Sequence, residues 1–117
     1  MAKKRKRRGA ETAPTATVDY TDAEGNVLTL RESVSAGTAA KLAEPGGGAA
    51  ASADDRWRRR SELLFERFAV RWVIADLPLE RQKELLARYR MADQDTQRWV
   101  RETIDDHLTR FQPELLP

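Results

Sequence analysis

A mainly α protein, with a C-terminal three-helix module, an N-terminal β-hairpin and a disordered basic tail, is the fold class the sequence predicts. Three observations carry it: apolar residues recur with a 3.6-residue period from Asp54 to Pro113, two short β-prone runs flank a cluster of turn formers, and the first eight residues hold six cations and no acid. At 117 residues the chain has room for about one small core. This gives four segments: a tail over 1–14, a hairpin with a weak short helix over 15–44, a flexible Gly/Ala linker over 45–53 and the helical module over 54–113.

A block of like charge repels itself and cannot pack, so Lys3, Lys4, Arg5, Lys6, Arg7 and Arg8 form a tail expected to attract polyanions such as nucleic acid without sequence preference. Residues 9–50 are acidic and residues 51–117 carry equal numbers of acids and bases, so the net charge of +2 comes from the amino terminus. The segment after the block, Gly9 to Thr17, is small and polar, unlike the apolar stretch of a secretory signal. With no apolar run long enough to cross a bilayer, a cytoplasmic location without a membrane span is expected. Sixteen arginines against five lysines, with abundant alanine, fit a high-GC bacterial source.

Thr15 to Tyr20 and Asn26 to Arg31 are rich in β-branched and apolar residues, and the intervening Thr21 to Gly25 supplies the turn. Val27, Thr29 and Arg31 alternate with Leu28 and Leu30, giving one polar and one apolar face. A lone hairpin is marginal in water, so this one must dock on something. Ser33 or Ser35 can cap a short helix running to Glu44, and Pro45 to Ala53, with three consecutive glycines, reads as the linker.

The first long helix is expected from Ser52, three residues before Asp55, to about Ala75. Trp57, Leu64, Phe65, Phe68, Trp72 and Ala75 share one stripe of its wheel, and Leu63, Val70 and Ile74 a second. Pro78 suits the first turn of the next helix, Leu79 to Met91. Asp93 or Asp95 caps the third, along which Trp99, Val100, Thr103, Ile104, His107, Leu108 and Phe111 line up until Gln112 and Pro113 stop it.

Chemistry-bearing patterns are few. Without cysteine there is no disulfide, thiolate nucleophile or cysteine-ligated zinc, and one histidine cannot build a multi-histidine metal site. His107 falls on the apolar face and its neighbours Asp105 and Asp106 on the solvent side, so it reads as structural. No phosphate loop or nucleophile elbow occurs, and no catalytic residue, metal or cofactor is expected. Arg56, Arg60, Arg67 and Arg71 fall on one line of the first helix and form a candidate phosphate-binding row. Trp57, Leu63, Val70 and Ile74 form a candidate face for a protein partner or a second copy. The run Leu77 to Tyr89 resembles the opening of a helix-turn-helix in sigma-factor region 4, but Glu102, Asp105 and Asp106 on the following helix oppose contact with DNA. The function read from the sequence is a small non-enzymatic accessory or adaptor protein, its tail tethering to a polyanion and its helical module binding a protein partner or itself. The alternative is a nucleic-acid-binding protein that uses the arginine row.

Overall fold

A computed structural model describes residues 16–43 and 53–116. The expected tail over 1–14 and nearly all of the expected linker lie outside the described residues, as does Ser52. The chain runs β1 (Thr17–Thr21), β2 (Val27–Arg31), α1 (Ala36–Ala43), α2 (Ala53–Phe68), β3 (Ala69–Ile74), β4 (Leu77–Leu79), α3 (Gln82–Met91), α4 (Gln94–Phe111) and a closing 3₁₀ turn, Pro113–Leu115. Four antiparallel strands form one sheet in the order β1-β2-β3-β4. Its inner face, with Leu28, Leu30 and Trp72 buried, meets Leu64, Phe65 and Phe68 of α2, Leu85 and Tyr89 of α3 and Val100, Ile104 and Leu108 of α4 in one hydrophobic cluster.

The protein is therefore α+β and not a mainly α three-helix module with a hairpin beside it. The expected first helix stops at Phe68, and Ala69 to Ile74 pairs with β2. Val70, Trp72 and Ile74 are apolar at alternate positions, and valine and isoleucine favour a pleated surface. Val70 and Ile74, two of the three residues of the second apolar stripe, belong to this strand, while Leu63 stays on the helix. Leu30 pairs with Ala69 and Thr29 with Arg71, which leaves Val70 as the extra residue of a β-bulge. Pro78 sits in β4, not in a helix. It faces Val73 one step beyond the turn-closing pair Ile74 and Leu77, where its missing N–H would point off the sheet edge. Leu77 to Leu79, the start of the run that resembles a helix-turn-helix opening, is a strand, and the helix expected from Leu79 begins only at Gln82.

The first hairpin follows from its turn chemistry. Asp22 accepts from the backbone N–H groups of Glu24 (2.8 Å) and Asn26 (3.0 Å), and Gly25 takes the left-handed position at φ 86°. In the second hairpin both turn residues, Ala75 (φ 50°) and Asp76 (φ 69°), have positive φ, as a type I′ turn requires. Asn26 links the two turns by accepting from the Ala75 N–H at 3.1 Å. Ser35 caps α1 through the Thr38 N–H (3.2 Å), and Asp93 caps α4 through the Thr96 N–H (2.7 Å); hydrogen bonding from the Thr96 side chain, and then from its N–H, holds the Asp93 carboxyl below the usual range.

The two layers are joined at His107, which is completely buried. Its Nε2 faces the carbonyl oxygens of Arg31 (2.8 Å) and Glu32 (3.2 Å), which only accept, so Nε2 carries the proton. Nδ1 then accepts from the Tyr20 hydroxyl (2.6 Å), which itself accepts from Arg110 (2.7 Å). Burial pushes the His107 pKa below its ordinary value of 6.5, against the opposing pull of the two carbonyls. The Gln112 amide makes a second clamp, accepting from the Val34 N–H (3.0 Å) and donating to its carbonyl (3.2 Å).

Two outcomes test these features. Ala carries a left-handed cost of about 1 kcal/mol, so replacing Ala75-Asp76 by Asn-Gly should raise the urea unfolding free energy by about that amount. His107 is neutral in the fold and gains a proton more easily when unfolded. Its contribution is therefore complete above pH 6.5 and is lost as the pH falls from there towards its lower folded value. Urea unfolding between roughly pH 7 and 5.5 should show a decline of at most about 1.4 kcal/mol per pH unit that His107→Gln removes.

Candidate functional site

Of the exposed large apolar residues, two lie at one place. Trp57 is 55% exposed and Leu63 39%, and both line a groove of about 700 Å³ bordered by α2, α4, the end of α1 and the C-terminal turn. Leu42, Leu64, Ile104 and Leu116 are among the apolar side chains lining it, and the Arg101 guanidinium lies 4.5 Å over the Trp57 ring. Acidic residues at the start of α2, Asp54 and Asp55, suit its dipole, and the helix presents Trp57, Ser61 and Leu64 one turn apart along the groove wall. The lining contains six basic residues, Lys41, Arg56, Arg59, Arg60, Arg98 and Arg101, against three acids, Glu102, Asp105 and Glu114. Removal from water pushes the Asp105 carboxyl above its ordinary range, with Asp106 adding to the effect.

The proposed partner face is divided. Trp57 and Leu63 line the groove, whereas Val70 and Ile74 belong to β3, where Val70 forms the bulge and Ile74 packs against the core. The four arginines of the candidate phosphate-binding row are divided as well, because the helix on which they would have aligned ends at Phe68. Arg56 and Arg67 are exposed on α2. Arg71 is on β3 and pairs with Glu80 at 3.4 Å. Arg60 turns inward and donates to the backbone carbonyls of Leu42, in the last turn of α1, and Leu115, in the closing turn. It binds the last turn of α1 to the closing turn. The six tail cations, Lys3 to Arg8, lie outside the described residues.

Arg60, one of the four arginines of the candidate phosphate-binding row, is occupied with backbone carbonyls. The available signal was its place between Trp57 and Leu64, on the edge of the apolar stripe, where a long stem can bury itself and the head can find a carbonyl. Glu62 is bound by Arg90 through two oxygens at 2.8 and 3.1 Å, which fastens α2 to α3. Among the described residues no group of three His, Asp or Glu side chains is close enough to hold a metal ion, and no helix is long and apolar enough to cross a membrane.

No family model, curated protein or solved structure matches this chain. The groove is therefore read from its own chemistry: an apolar floor, an exposed indole and a rim of excess positive charge.

The division between Arg60 and its neighbours has a measurable consequence. Arg60→Met keeps the stem but strands two carbonyls, and urea denaturation should show a loss of about 2–3 kcal/mol, while Arg67→Met leaves stability within about 0.5 kcal/mol.

Proposed function

We propose that the protein is a small non-enzymatic adaptor that binds a protein partner through the groove between α2 and α4 and uses its basic amino terminus to attract a polyanion. The observation that carries this reading is the pair Trp57 and Leu63, left exposed beside a groove of about 700 Å³; the other exposed large apolar side chains among the described residues, Leu77 and Met91, do not line it. Tryptophan and arginine are the residues that dominate protein interfaces, and leaving an indole in water has no benefit for folding. Two weak attachments on one chain raise their joint affinity through effective concentration. The six positive charges of residues 3–8 suit non-specific, salt-sensitive association with nucleic acid, and a bacterial cytoplasmic setting fits this scheme.

The alternative, nucleic-acid binding by Arg56, Arg60, Arg67 and Arg71, has less support. Arg60 is committed to backbone carbonyls, Arg71 is on a different element, and three acids line the groove beside Arg56.

Two full-length variants separate the readings: one with the six tail cations changed to glutamine, one with Trp57→Ala and Leu63→Ser. Binding of generic duplex DNA and structured RNA, titrated with salt, should disappear in the first and persist in the second. Selection of displayed peptides on the immobilised protein should enrich sequences that fail to bind the second. Nucleic-acid binding that survives neutralisation of the tail with an unchanged salt slope would transfer the function to the arginines of the folded part. Peptides that bind the groove variant equally well would overturn the adaptor reading.

A further inference from the structure

We infer that the groove takes an acidic amphipathic helix of a partner protein, an inference that rests on the adaptor reading and specifies its partner. The walls of the groove are helices, so they offer no strand edge with which an extended peptide could pair its backbone. A helix satisfies its own backbone groups and needs only an apolar face to lie against Trp57, Leu63 and Ile104. The cations stand on both walls, Arg59 on α2 and Arg98 and Arg101 on α4, so a helix laid between them meets positive charge along each flank. Glutamates and aspartates beside an apolar stripe complement that arrangement, and the three acids of the lining leave the excess positive.

The other occupants fit less well. The amino-terminal segment of this chain carries six cations in eight residues and would be repelled. A second copy would bring the same positive rim against its own image. A lipid surface is flat, whereas the indole and Leu63 line a concavity. Arg101 over Trp57 holds the indole in place before the partner arrives, which reduces the side-chain ordering that binding requires.

The probe is a fluorescein-labelled peptide of about 18 residues with leucines at helical spacing and glutamate at the remaining positions, compared with a twin bearing lysine in place of glutamate. Fluorescence anisotropy with the full chain should show binding of the glutamate peptide, weakening with salt, and at least about tenfold weaker binding of the lysine twin. Trp57→Ala should weaken the glutamate peptide about tenfold or more, and the double reversal Arg59→Glu, Arg98→Glu should exchange the preference between the twins. All three positions are at the surface, and circular dichroism checks that the variants remain folded. Equal binding of both twins, no binding of the glutamate peptide, or a preference unmoved by the reversal would each overturn the inference. Groove-dependent binders without acidic residues, recovered from the displayed peptides, would sink the acidic helix while leaving the adaptor standing.

Discussion

The rest of the fold depends on a neutral imidazole. His107 stands in the second half of α4 with a hydrogen on one nitrogen and a lone pair on the other, and the sheet supplies the complement of each: carbonyls at the end of β2 and a hydroxyl on β1. A protonated ring would turn a donor against the Tyr20 hydroxyl and place a charge among Phe68, Phe111 and the core leucines. The Gln112 clamp on Val34 and the Arg60 clamp on Leu42 and Leu115 use the same device, a polar side chain that captures backbone far away in sequence. In a chain too short for a large core, such bonds fix layers that apolar burial alone would leave free to slide.

Turn chemistry was the most readable part of the sequence. Asp22 and Gly25 mark the first hairpin, Ser35 and Asp93 mark two helix starts, and each acts through a local hydrogen bond or dihedral that needs no distant partner. Ala69 to Leu79 was not readable, because the short segment Ala69–Ile74, apolar except for Arg71, satisfies helical spacing and strand alternation together and only pairing with β2 decides between them. The second turn gave no help either: Ala-Asp lacks the glycine or asparagine that usually announces positive φ. The errors at the site follow from that one. Once the helix is continued to Ala75, Arg71 and Val70 are placed on faces they do not have. Trp57 and Leu63, which precede the break, are exposed and lie together in the groove.

Charge was legible only as a sum. Residues 51–117 are balanced, and counting alone makes the folded part electrically bland. The fold sorts the charges instead. Glu62 is drawn to Arg90 and Glu80 to Arg71, none of which lines the groove, while Lys41 from α1 and arginines from α2 and α4 converge on its lining. Such local polarity arises from topology, since the bases come from elements separated by as much as half the chain.

The junction at Phe68 and Ala69 has no linking residue: α2 passes directly into β3. The helix that forms one wall of the groove is thus a cantilever built into the sheet, and the bulge at Val70 is the bend at its root. It cannot swing aside without pulling a central strand out of register with β2. The width of the groove is consequently set by sheet geometry, as a jaw is set by its anvil, and any ligand must conform to the opening it finds.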